Sequence, residues 1–129
     1  MSEIFERNIL EEIYQVLSSN DKLAQLVPTE NIWLHYIPED KRDLSPVIRI
    51  SQTGWMPYEY ASNAQINYIA EFQIDVWMRQ EDGEPFQIGQ IIQSIMKEEN
   101  FQQNTPNFGY DPDTEMLRDG RRYVGYIYI

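Results

Sequence analysis

The chain reads as an α+β protein, with a mixed or antiparallel sheet of about four to five strands and two main helices packed on one face. The expected element order is α-β-β-β-α-β-β. Three observations carry this reading. Ile66, Tyr68, Ala70, Phe72, Ile74, Val76 and Met78 take every second position, while Asn67, Glu71, Gln73, Asp75 and Arg79 fill most of the other side. That is the period of a strand with one dry face and one wet face. By contrast, Phe5, Ile9, Ile13 and Val16, and later Ile88, Ile91, Ile92, Ile95 and Met96, recur at helical spacing. At 129 residues, 42% hydrophobic and 24% charged, the chain has the size and profile of one globular domain, 1–129. It shows no internal repeat and no linker.

The first helix carries Leu10, Tyr14 and Leu17 beside its apolar stripe, and Glu3, Glu6, Glu11 and Glu12 suit the positive end of its dipole. Ser18-Ser19-Asn20 ends it, and Asp21 is placed to cap a short turn that Pro28 stops. Ile32, Leu34 and Tyr36 alternate with Trp33 and His35 as a short strand before Pro38. A charged loop, Glu39-Asp40-Lys41-Arg42-Asp43, leads to a second strand, Val47-Ile48-Arg49-Ile50-Ser51. Gly54 to Asn63 has no convincing period and reads as an excursion from the sheet. The long strand over 66–78 follows, and a slip of one residue there would expose its whole apolar set. Glu81-Asp82-Gly83-Glu84-Pro85 is a turn that places proline at a first helical position. Asn100 to Asn107 reads as a polar connection. Asp119-Gly120 signals a two-residue hairpin between Glu115–Arg118 and the strand-like Arg121–Ile129.

Composition excludes several classes of function. With 21 acidic and 10 basic residues, a net charge of −11 opposes a tight grip on nucleic-acid phosphates or an anionic membrane. The chain has no cysteine, so thiol catalysis, disulfides and thiolate metal sites are absent, which suits a reducing compartment. The longest hydrophobic run is Tyr126 to Ile129, too short to span a bilayer, and the start lacks a signal-peptide pattern.

Catalytic parts are sparse as well. His35 is the single histidine, in a strand-like context where an edge or core role is expected. The chain lacks nucleophile-elbow, zincin, P-loop and dinucleotide-glycine patterns. Asp111-Pro112-Asp113-Thr114-Glu115 resembles the opening of a calcium loop, but Met116 stands where glycine is needed and Arg122 where the bidentate glutamate belongs. It reads as a turn with Asx side chains bonded to nearby amides. Glu11-Glu12, Glu39-Asp40 and Glu98-Glu99 are adjacent pairs that do not converge. No catalytic residue, cofactor or metal is therefore expected.

Contact residues are a better prospect. Trp55, Met56, Tyr58 and Tyr60 in the excursion are of the types enriched at interface cores, and Tyr126 and Tyr128 favour a packed or partner-paired final strand. Arg118, Arg121 and Arg122 form the one local basic cluster, placed to meet an acidic neighbour.

Four stretches taken in order carry a family resemblance: Ile32-Trp33-Leu34-His35-Tyr36-Ile37-Pro38 after the first helix, Ser45-Pro46-Val47-Ile48-Arg49-Ile50-Ser51, the strand Tyr68 to Met78, and Tyr110-Asp111-Pro112-Asp113-Thr114 before the last strand. On these the chain resembles small siphophage and prophage proteins of Gram-positive hosts, similar in plan to tail-terminator, or tail-completion, proteins. The resemblance implies a non-enzymatic structural role. Copies assemble as a ring, usually a hexamer, on the head-proximal end of the tail tube, stop its polymerisation and join it to the head connector. It implies the tube protein and connector proteins as partners, and DNA passing through the lumen without specific binding. It also implies assembly in the host cytoplasm and residence at the head–tail junction of the virion. Two other classes are compatible with the composition: an acidic inhibitor that mimics DNA, and a small-ligand-binding domain.

Overall fold

The computed structural model describes residues 8–61 and 64–128, with the side chains of 58–61, 64–66 and 128 outside that description. The elements are α1 (Ile9–Ser18), α2 (Asp21–Ala24), β1 (Ile32–Leu34), β2 (Val47–Ala61), β3 (Ala64–Met78), α3 (Pro85–Glu98), β4 (Gln102–Gln103), β5 (Asn107–Asp111) and β6 (Met116–Tyr128). The α+β expectation holds, with a six-stranded mixed sheet in the order β1-β2-β3-β6-β4, and β5 also on β6. Only β1 runs parallel to its neighbour.

α1 begins at Asn8, whose Oδ1 accepts from the Glu11 amide at 3.1 Å. The expected stripe is buried at Ile9, Leu10, Ile13 and Leu17, while Phe5 lies outside the described residues. The cap of α2 is Asn20 rather than Asp21: its Oδ1 accepts from the Leu23 amide at 2.9 Å, and Asp21 is the first helical residue. Pro85 opens α3, which buries Ile88, Ile92, Ile95 and Met96. Both long helices lie on the side of the sheet shown by Ile48, Ile50, Phe72, Ile74, Val76 and Tyr123, and these side chains form the main core. Each such side chain, fully buried, contributes about 1.5–3 kcal/mol.

Two expectations need correction. The excursion expected at 54–63 is sheet over 54–61, because β2 continues to Ala61 and pairs with β3, while 62 and 63 lie outside the described residues. Register shifts between Gln52 and Gly54, and again around Glu59, explain why no period is visible. Before the first bulge, even-numbered residues of β2 face the helices; after it, Trp55 does. One extra residue reverses the alternation. The second correction concerns Asp119-Gly120, which lies inside β6 and makes no hairpin. Gly120 pairs with Asp75 of β3, and a Cβ on it would sit 2.9 Å from Asp75 Oδ1. Close packing accounts for this glycine. The turn is the Asx motif upstream: the Asp113 amide donates to Asp111 Oδ1 at 3.0 Å, and the Glu115 amide to the Asp111 carbonyl at 2.8 Å.

At the other end of the strand order, β1 pairs with β2 only from Ile48 to Ile50. His35 is exposed, and its φ of 69° takes the chain off the sheet. β2 is therefore the outermost strand from Ser51 onward.

Candidate functional site

Successive residues of β6 point to opposite faces, so Asp119, Arg121 and Tyr123 turn toward the helices while Arg118, Gly120 and Arg122 turn away. On the helix side, Arg121 Nε and Nη2 donate to the two carboxylate oxygens of Asp119 at 2.8 and 2.9 Å, with both side chains at most 2% exposed. Arg121 Nη1 donates to Gln90 Oε1 at 2.8 Å and Gln103 Oε1 at 3.0 Å. Tyr123 donates to the same Gln103 oxygen at 3.2 Å, and burial pushes its phenol above the ordinary value. Gly89 of α3 makes room for the pair: a Cβ there would collide with the Asp119 carboxylate and lie 2.8 Å from Arg121 Nε. The Arg121 guanidinium also lies 5.5 Å from the Phe86 ring and 5.4 Å from the Phe108 ring. Those rings meet edge to face at 5.6 Å, yet they are 47% and 49% exposed. Tyr110, two residues along β5 on the same side, is 62% exposed.

The face away from the helices carries a second network. Asp75 is fully buried and accepts from Arg49 Nη2 at 2.9 Å, Arg118 Nη2 at 2.6 Å and Gln73 Nε2 at 2.9 Å. Both guanidinium groups lie over the Trp77 ring, at 5.0 and 5.7 Å. Trp77 Nε1 donates to Asp111 Oδ2 at 2.8 Å, which ties the β5–β6 turn to β3. Burial pushes the Asp111 carboxyl up, but the bonds from Trp77, the Asp113 amide and Thr114, with the charge of Arg118, hold it below its ordinary value. Trp77 joins Ile37, Val47 and Met116 in a small second core on this face. Beside it lies a cleft of about 900 Å³, lined by Arg42, Arg49, Arg79 and several carboxylates; His35 is not in its lining. Among the described residues, no group of three histidine, cysteine or acidic side chains could hold a metal ion.

Further along the same face, Met56, Ile69 and Tyr126 form one register row across β2, β3 and β6. Met56 and Tyr126 are 56% and 54% exposed. This row unites two expected contact residues that are far apart in sequence. Trp55 goes the other way, stacking on Tyr68 at 5.0 Å against the main core. The expected basic cluster is split by strand alternation. Arg118 is tied to Asp75, Arg121 is buried beneath α3, and only Arg122 is exposed, donating to Gln73 Oε1 at 3.2 Å. The side chains of Tyr58, Tyr60 and Tyr128 lie outside the described residues.

Sequence reasoning missed Phe86, Phe108, Tyr110 and the Asp75–Arg49–Arg118 network. The alternation Phe108-Gly109-Tyr110 between Pro106 and Pro112 is a strand signal that would have flagged β5. The network has no such signal, because its members pair only once the strand register is known.

Fold and surface together describe an α+β protein with exposed apolar side chains on a sheet edge, at Phe108 and Tyr110, and on a sheet face without helices, at Met56 and Tyr126. No protein-family model matches this chain, and no curated protein matches it in sequence. Among solved structures, a chain of the "Virion of native gene transfer agent (GTA) particle" is similar, with a TM-score of 0.58 at 13% identity. The likeness covers 91% of this chain and 92% of that one. At such identity it is a likeness of fold.

Proposed function

We propose that this chain is a non-enzymatic structural protein of a phage-type particle. In the finer reading it caps the tail tube as a ring, of six copies on the family resemblance, ends tube polymerisation and joins the tail to the head connector. The observation that carries the proposal is the fold likeness to a virion chain over nearly the whole length of both. The sequence resemblance to tail terminators points the same way independently. The surface supports it too, because its prominent features are apolar side chains open to contact, Met56, Tyr126, Phe108 and Tyr110. No helix among the described residues is long and apolar enough to cross a membrane, in keeping with assembly in the host cytoplasm and residence in the virion.

Net charge gives the ring a further property. At −11, a lumen lined by carboxylates and polar groups lets DNA pass without adhering. The split of the arginine triplet supports this, since Arg121 is buried away from any pore and Arg118 is tied to Asp75, a carboxylate it shares with Arg49.

Electron microscopy of particles assembled without this protein tests the proposal. Tails of uncontrolled length or heads without tails are expected. Normal, infectious particles would refute it.

A further inference from the structure

β5 pairs only with β6, so among the described residues its outer edge is unpaired. Exposed edges are commonly guarded by lysine, internal proline or a bulge. Asn107-Phe108-Gly109-Tyr110-Asp111 has none of these, and its pairing with β6 runs without a register shift. Phe108 and Tyr110 stand exposed on one side of it, with the exposed ring of Phe86 from α3 against Phe108. The buried Arg121 guanidinium lies on both phenylalanine rings and is itself fixed by Asp119, Gln90 and Gln103. Rings set in place before a partner arrives lose little freedom on binding.

Charge decides what kind of strand this edge takes. Neither β5 nor the first turn of α3 carries a lysine or arginine. Acidic runs adjoin both aromatic segments: Glu81, Asp82 and Glu84 come just before Phe86, and Asp111, Asp113 and Glu115 follow Tyr110. The fold brings the two runs together, since Glu81, Asp111, Asp113 and Glu115 line one cleft, whose carboxylates outnumber its three arginines. Among the described residues, Glu81, Asp82, Glu84, Asp113 and Glu115 make no ion pair. We propose that the β5 edge seats an extended, basic segment of a different protein, added to the sheet as a strand. Its apolar side chains, at alternate positions, lie on Phe86, Phe108 and Tyr110, and its lysine or arginine residues pass Asp111 toward the acidic end. Backbone pairing gives the affinity, alternation the fit on the rings, and charge the choice of partner. The contact is with another protein, so it goes beyond the ring reading and does not depend on it.

Two blocked peptides test it, Lys-Val-Thr-Val-Thr-Val-Lys and its counterpart with glutamate at both ends. Hydrogen exchange followed by NMR reads the β5 amides that β6 does not bond. The lysine peptide is expected to protect them, less so as salt rises, and the glutamate peptide to leave them unprotected. Tyr110→Lys, checked for a wild-type unfolding midpoint, is expected to weaken the lysine peptide by about tenfold or more. Amides that neither peptide protects would overturn the added strand. Equal protection by both peptides would overturn the basic partner. Undiminished affinity in Tyr110→Lys would overturn the placement on the rings. Light scattering supplies the last outcome: a chain that self-associates alone, and that Tyr110→Lys returns to monomer, would give the edge to a second copy and overturn the proposal.

Discussion

Asp119 with Arg121 and Asp75 with Arg118 are built from the same residue types, lie on neighbouring strands, and face opposite sides of one sheet. Their surroundings differ. The Asp119–Arg121 pair is sealed by α3, with both side chains at most 2% exposed. Around Asp75 the carboxylate is sealed, but its two arginines remain 31% and 29% exposed. Desolvation decides what each network does. A sealed pair is costly to break and adds little net stability over apolar residues of the same shape. A half-open one gains less from each partner and tolerates the loss of one. The sealed pair also gives its guanidinium face to the exposed Phe86 and Phe108 rings, so a buried charge organises a surface patch.

Removing Arg121 should separate the two networks most sharply. Arg121→Ala leaves Asp119 charged and buried without its partner, and urea unfolding should report a loss of about 3–5 kcal/mol. The same experiment on the double variant Asp119→Leu, Arg121→Met should recover most of that loss, and failure to recover it would mean the pair itself stabilises the fold. Gly89→Ala comes next, at about 2–3 kcal/mol, because the new Cβ meets the Asp119–Arg121 pair rather than a void. Arg118→Gln should cost less, about 1.5–2 kcal/mol, since Asp75 keeps Arg49 and Gln73. A loss as large as that of Arg121→Ala would erase the distinction between the networks.

Acid sharpens the comparison at a smaller scale. Asp111 has a lowered folded-state pKa, so its contribution is present above the ordinary carboxylate value near 3.9 and is lost as pH falls through the lower folded value. The unfolding midpoint of Asp111→Asn should therefore fall less than that of the wild type between pH 5 and pH 2. The smallest effect is expected at Tyr126→Ser, within about 0.5 kcal/mol, because this side chain is largely exposed on the face without helices.

Legibility followed periodicity. β3 and α3 were readable because their apolar residues keep one period from end to end. The second half of β2 was not, because the bulge near Thr53 reverses which residues face the core. β6 was misread where Asp119-Gly120 imitates a turn while serving a close approach to β3 and a buried ion pair. Of the expected contact residues, Met56 and Tyr126 do reach the surface, whereas Trp55 packs inward and Arg121 is buried. Trp77 shares its side of β3 with polar residues, yet it is buried there by the second core.

By itself, the sequence determined the α+β class, the two helices, the long strand and the Asx turn, because each depends on contacts between residues close along the chain or on a repeat within one element. Tertiary structure decided the rest. Which acid meets which arginine, which aromatic rings stay exposed and which sheet edges stay open all depend on register between strands distant in sequence. A single bulge or glycine can change that register's consequences without leaving any period to read.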